Sequence, residues 1–206
     1  MSLVAMVVLA LSYFLGAVPF GLLLGRWRGV DPRRVGSGNI GATNVTRAGG
    51  RALGLATFLL DLGKGAAGPL LARGAGLDPG WIAATGMMTI LGHCFPVYLR
   101  FRGGKGVAAL MGVFLVMNSV AAVAAAAAFA VSLLAFRYVA LSSFCLALTL
   151  AGTSVWLRGS SQPESITALA CVLLVAYTHR ANWSRMLRGT EERAFAPPDP
   201  GESADG

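Results

Sequence analysis

Charge is what this chain has least of. Only 13% of its 206 residues are Asp, Glu, Lys or Arg, where a soluble domain carries roughly 25%. Hydrophobic residues make up 55% and the mean hydropathy is +0.66, which excludes an ordinary soluble fold and places the chain in a membrane. Acidic residues are the scarcer sign, 9 against 17 Lys and Arg, for a formal charge of +8. That excess does not describe a nucleic-acid binder, because the basic residues interrupt bilayer-length apolar runs instead of decorating a soluble surface. Metal-ligand patterns are absent too. Cys94, Cys145 and Cys171 are odd in number and lack metal-site spacing, so neither a metal nor a cofactor is expected. His93 and Cys94 are neighbours, but consecutive residues on a helix point in different directions, which argues for packing and against a paired thiolate nucleophile. No internal repeat is visible.

What the chain does have is long apolar runs. Ser2 to Gly25 carries no charge and no basic segment precedes it, the pattern of a retained spanning helix and not of a cleaved signal peptide. Further spans are read at Ala52 to Ala72, Trp81 to Leu99, Val139 to Leu157 and Pro163 to about Trp183, the last opened by Pro163 and Glu164. Val107 to Phe136 is uncharged throughout. As one helix, at ~1.5 Å per residue, it would be ~45 Å long against a ~30 Å hydrocarbon core. A hairpin of two short spans turning near Met117-Asn118-Ser119 gives seven helices and puts 14 of the 17 basic residues on one side, leaving Arg73 and Arg158 opposite and Lys64 inside a span. A single helix would send Arg137, Arg180, Arg185, Arg188 and Arg193 to the other side, against the positive-inside rule. The expectation is an all-α integral membrane protein of about seven transmembrane helices, N-terminus outside and C-terminus cytoplasmic. Residues 1–193 form one polytopic domain, and 194–206, acidic and rich in proline, form a disordered cytoplasmic tail.

Two polar, glycine-rich loops fall on the basic side. The first holds Gly36, Ser37, Gly38, Asn39, Gly41, Thr43, Asn44 and Arg47. Glycine frees the backbone to turn its N–H groups inward, and hydroxyls, amides and arginine add donors, so the segment suits phosphate oxygens. The bland account, a loop satisfying its own backbone, needs fewer glycines than this. The second, Gly92 to Gly106, carries Arg100, Arg102 and the run Gly103-Gly104-Lys105-Gly106. It is not a nucleotide-binding P-loop, which needs glycine where Leu99 stands and Ser or Thr where Gly106 stands. Arg100 and Arg102 read as topology determinants or headgroup contacts, while Lys105, between glycines, reads as a phosphate contact. Ser142 and Ser143 follow Arg137-Tyr138 by one turn, and His179 and Asn182 end the last span on the same side, so all four join the candidate site. Asp61 and Lys64, three apart on one helix face, are either functional intramembrane charges or a neutral pair supporting the loops.

Taken together, residues 36–47, 92–107 and 137–143, with Asp61-Leu-Gly-Lys-Gly65 and His179 to Glu191, resemble the signature motifs of the bacterial membrane acyltransferases that use acyl phosphate and glycerol-3-phosphate, the PlsY family. The resemblance covers the chain apart from the first helix and the tail. It implies transfer of a fatty acyl group from acyl phosphate to the sn-1 hydroxyl of glycerol-3-phosphate, giving lysophosphatidic acid and inorganic phosphate. It also implies seven helices in the bacterial cytoplasmic (inner) membrane with the active site facing the cytoplasm, and no required protein partner. Carried over motif by motif, it implies Ser37, Arg47, Lys105, Ser142, His179 and Asn182 as catalytic residues. Gly36, Gly38, Asn39, Gly41, Thr43, Asn44, Gly103, Gly104 and Ser143 then surround substrate phosphate. The other large class of glycerolipid acyltransferases is marked by His, four residues, then Asp; here Tyr98 and Ser184 stand at that spacing from the two histidines. An acyl phosphate already carries a good leaving group, so positioning and oxyanion stabilisation suffice without an acyl-enzyme. With no carboxylate in the cytoplasmic motifs 36–47, 92–107 and 137–143, the base is His179 or a substrate phosphate oxygen. The alanine run from Ala121 to Ala130 either lines an acyl groove or allows close helix packing.

Overall fold

The first apolar run is not one helix. In the computed structural model, which describes residues 2–194, it divides into α1 (Leu3–Ala17) and α2 (Phe20–Trp27). The division falls at Val18-Pro19, because proline lacks the N–H of the helical ladder and disfavours helical geometry in the residue before it. Released from the ladder, the Val18 carbonyl accepts a 2.7 Å hydrogen bond from Lys64 Nζ of a neighbouring helix. The remaining elements are α3 (Ala42–Gly49), α4 (Arg51–Gly74), α5 (Pro79–Cys94), α6 (Val107–Met117), α7 (Ser119–Phe136), α8 (Val139–Arg158), α9 (Pro163–Thr178) and α10 (Arg180–Leu187). No strand occurs among the described residues. The expected tail lies outside them from residue 195 onward.

The uncharged stretch does turn at Asn118. α6 ends one residue before it, and the Asn118 side chain accepts a hydrogen bond from Ala121 N, capping α7. Asp78 caps α5 in the same way, accepting from Gly80 N and Trp81 N with Pro79 in the first turn. Two differences from the sequence reading stand out. The first polar loop contains a two-turn helix, α3, whose spacing buries Val45 and places Thr43 and Arg47 one turn apart. The last run bends at His179, which leaves helical geometry between α9 and α10.

α4 runs through the centre, packed on α1, α5 and α6, while α7 packs on α8 and α8 on α9. The close crossings are made by glycine. A Cβ at Gly65 would overlap the Ala109 carbonyl, and one at Gly112 the Leu62 carbonyl, so α4 and α6 meet backbone to backbone. Gly16 and Gly92 do the same for α1 and α5, against Thr89 and Tyr13. Ile90, Leu110, Val113, Phe114, Leu146, Leu150 and Val175 fill the core between α5, α6, α8 and α9. Leu3, Trp27, Val131, Leu134 and Trp156 are each more than 60% exposed, an apolar surface that lipid covers and water would not tolerate. Five segments are long and apolar enough to cross a bilayer, Leu3–Trp27, Arg51–Gly74, Pro79–Leu99, Ser119–Phe136 and Val139–Arg158; Val107–Met117 and Pro163–Thr178 are apolar but shorter.

Candidate active site

The polar segments separated in sequence meet at one end of the bundle, around two adjoining cavities of about 900 and 270 Å³. Ser37, Asn39, Lys105, Asn182 and Arg185 line both.

The first loop is folded around Asn44. Its amide nitrogen donates to the carbonyls of Pro32, Val35 and Asn39 at 2.7, 3.1 and 2.8 Å, and its Oδ1 accepts from Ser37 N at 3.0 Å. Gly36 takes a positive φ of 52° beside it, where a Cβ would sit 2.7 Å from Asn44 Oδ1. Asn39 Oδ1 accepts from Gly41 N, closing the turn into α3. Asn44 and Asn39 thus shape the loop, which leaves the Ser37 hydroxyl, Thr43 and the Arg47 guanidinium at the smaller cavity.

The second loop is clipped to the end of α5: Gly104 N donates to the His93 carbonyl at 3.0 Å and Gly103 N to that of Cys94 at 3.1 Å. Gly103 and Gly104 line the larger cavity. Lys105 then points between the cavities, its Nζ 2.7 Å from Asn182 Oδ1, while its carbonyl accepts from Thr178 Oγ1 at 3.1 Å. Burial, together with the charges of Arg185 and Arg47, lowers the Lys105 ammonium to about 8, against the raising effect of Glu191.

At the bend after α9, His179 is buried, with Nδ1 2.9 Å from the Val175 carbonyl. A carbonyl only accepts, so Nδ1 carries the hydrogen and Nε2 keeps its lone pair. Burial and the Lys105 charge lower the imidazole to about 4, so it is neutral at pH 7. Asn182 is held on both sides, accepting from Lys105 and donating to Glu191 Oε1 at 2.6 Å.

The three signature motifs carry no carboxylate, but the fold brings three from outside them: Asp61, Glu191 and Glu192 all line the smaller cavity. Each faces a cation. Glu191 accepts from Arg185 Nε at 2.7 Å, Glu192 lies 2.9 Å from Arg47, and Asp61 lies 2.8 Å from Lys64. Arg185 and His93, also in the wall, went unassigned; Arg185 stands one turn after Asn182 in the motif and was the readable signal. Arg100 and Arg102, read as topology determinants, line the larger cavity beside Arg33 and Arg180. Ser143 reaches the smaller cavity, although its hydroxyl donates to Val139 O. Ser142 lines neither; its hydroxyl bonds Tyr138 O and lies 3.4 Å from Ser132 Oγ. The smaller cavity also has an apolar lining, from Phe58, Val107, Ala108, Phe129, Val139 and Ala140. No group of three or more His, Cys, Asp or Glu residues placed to hold a metal occurs among the described residues.

Residues 6–189 match the family model described as glycerol-3-phosphate acyltransferase. The chain belongs to that family. Curated members from Geotalea daltonii, Myxococcus xanthus and Desulfotalea psychrophila, each named glycerol-3-phosphate acyltransferase, are 43%, 44% and 45% identical over 87%, 89% and 88% of this chain and 92%, 96% and 94% of their own. Two crystal forms of PlsY (YgiH), an integral membrane glycerol 3-phosphate acyltransferase, share the fold. The glycerol 3-phosphate form superposes with a TM-score of 0.87 at 36% identity, and the lysophosphatidic acid form with 0.85 at 35%, each covering 92% of this chain and 94% of the other. The matched region takes in both cavities' linings apart from Thr190, Glu191 and Glu192.

Proposed function

We propose that this protein transfers a fatty acyl group from acyl phosphate to the sn-1 hydroxyl of glycerol-3-phosphate, giving lysophosphatidic acid and inorganic phosphate. It acts at the cytoplasmic face of a bacterial inner membrane, with all seven apolar segments spanning, the N-terminus outside, and no protein partner or cofactor required. The observation that carries the reading is one cavity of about 270 Å³ whose lining joins Ser37, Arg47, Lys105, His179 and Asn182 to an apolar set that includes Phe58, Val107 and Phe129. A molecule with a phosphate at one end and a hydrocarbon chain at the other suits that mixed lining.

Arg47 and Lys105 hold phosphate, with Ser37 and Thr43 adding hydroxyl donors. The glycerol oxygen attacks the acyl carbonyl carbon, the bond from that carbon to the phosphate oxygen breaks, and inorganic phosphate leaves. His179 Nε2, a fixed lone-pair site, accepts the hydroxyl hydrogen bond and orients the attack. Held at about 4, the imidazole is a weaker base than phosphate, whose second pKa is about 6. The proton therefore ends on the departing phosphate. Asn44, Asn39 and the loop glycines shape the anion seat, and Asn182 places Lys105.

The deciding experiment supplies detergent-purified protein with palmitoyl phosphate and glycerol-3-phosphate, with palmitoyl-CoA as the alternative donor. Phosphate released only when both the acyl phosphate and glycerol-3-phosphate are present is the expected result. Activity confined to the CoA donor overturns the donor assignment.

A further inference from the structure

Beneath the Lys105 loop lies a buried group that the acyl-transfer chemistry does not use. Asp61 and Lys64 of α4 and His93 of α5 are 2%, 8% and 5% exposed. Lys64 Nζ is 2.8 Å from Asp61 Oδ1 and donates to the Val18 carbonyl at the break in the first span. Asp61 Oδ1, already ion-paired with Lys64, faces His93 Nδ1 at 3.6 Å, and that ring nitrogen has no hydrogen-bond partner among the described residues. A buried ring nitrogen without a partner is costly, and a small closure of that gap pairs it with the carboxylate.

The other edge of the same imidazole faces the glycine loop. A Cβ at Gly104 would overlap His93 Nε2, with Cε1 and Cδ2 only 2.8 and 2.9 Å away. The ring therefore fills the space a side chain at 104 would need. The backbone repeats the connection, since Gly104 N bonds the His93 carbonyl. Lys105 follows directly, and Asp61, His93 and Lys105 all line the smaller cavity.

We infer that Asp61 and His93 are positioning residues for the acyl transfer: Asp61 fixes the His93 ring, the ring seats Gly104, and the seated glycine sets where the Lys105 ammonium stands. Lys64 holds Asp61 in place and ties the arrangement to the kink at Val18-Pro19. The inference rests on the reading of Lys105 as a phosphate contact.

The test is a double-variant cycle on phosphate release from palmitoyl phosphate, with KM for glycerol-3-phosphate and kcat measured separately. Gly104→Ala in the wild type pushes a methyl against the ring and raises KM by about tenfold. In the His93→Ala background the methyl enters vacated space, and the same substitution raises KM by less than about threefold. Equal fold-changes in the two backgrounds overturn the inference, since a ring that merely fills core volume would add independently. Asp61→Asn raises KM by about fivefold while kcat at saturating substrate stays within about twofold; an unchanged KM removes Asp61 from the chain of contacts. Should His93→Ala fail to give a monodisperse preparation, His93→Asn, which keeps a polar group toward Asp61 while withdrawing the ring from Gly104, takes its place with the same two readings. A wild type that releases no phosphate from acyl phosphate overturns the functional reading and takes this inference with it, whereas an active wild type with an additive cycle overturns this inference alone.

Discussion

At the scale of residues, Lys105 and His179 sit 74 positions apart in a chain whose folding brings the Lys105 charge to bear on the His179 ring. Lys105 is lowered to about 8, so the free enzyme loses its ammonium as pH rises through that value. Since kcat/KM reports the free enzyme, it should fall above pH about 8 for glycerol-3-phosphate. Lys105→Arg, whose guanidinium stays charged, should remove that alkaline limb even if it lowers the plateau; a limb that persists assigns it to another group. His179 behaves oppositely in sign: lowered to about 4, it gains a proton only well below neutrality, so an acid limb near 6 belongs to substrate phosphate and survives in His179→Gln. His179→Ala should lower kcat by about 10²-fold through lost orientation, and a variant within about threefold of wild type removes the residue from the site. That Ser37, Arg47 and Lys105 share one cavity was legible because glycine-rich, donor-rich runs flanked by cations are rare between apolar spans, and His179 and Asn182 joined them through their place at the inner end of the last span. Asn44 and Glu191 show what was not legible. A sequence shows that Asn44 has donors, but only folding shows them spent on the carbonyls of Pro32, Val35 and Asn39. Glu191 lies near the end of a motif but reads as an ordinary surface charge until Asn182 and Arg185 close on it.

At the scale of elements, the turn at Asn118 was readable from two length and charge arguments that agreed, an uncharged run too long for one span and arginines that needed a common side. Its strength can be measured. Asn118→Ala removes the cap on α7 and should cost about 1 kcal/mol, a fall of roughly 2–4 °C in thermal midpoint for a chain of this size. Turnover at low temperature should be retained, because Asn118 stands a full helix away from the cavity lined by Val107 and Ala108. The breaks at Val18-Pro19 and His179 escaped the same reading. Hydropathy sums over a window and registers neither the N–H that Pro19 lacks nor the change of backbone geometry at His179, so both runs looked continuous. α3 and α10 escaped for another reason: an eight-residue helix is marginal on its own and forms only where the rest of the fold receives it. The α4–α6 crossing is the least forgiving element pair. Gly112→Val places side-chain atoms on the Leu62 carbonyl and should abolish recovery of folded protein, checked by size exclusion in detergent.

At the scale of the molecule, the all-helical fold followed from hydropathy alone, while the join between two cavities did not, because it depends on loops from four parts of the chain meeting. The inferred orientation predicts that, in a cysteine-depleted background, Arg158→Cys reacts with an impermeant thiol reagent in intact cells and Arg188→Cys only after permeabilisation; the reverse pattern inverts the topology. The two cavities also matter for turnover. Arg47 faces Glu192, 2.9 Å away and largely exposed. On the acyl-transfer reading, inorganic phosphate and that carboxylate compete for the same guanidinium. On that reading the protein carries its own eluent, which loosens the hold of the small by-product on the site. Such an exposed pair is worth about 1 kcal/mol at most, so Glu192→Gln should tighten inhibition by added phosphate by about threefold and no more, a modest brake lifted once per turnover.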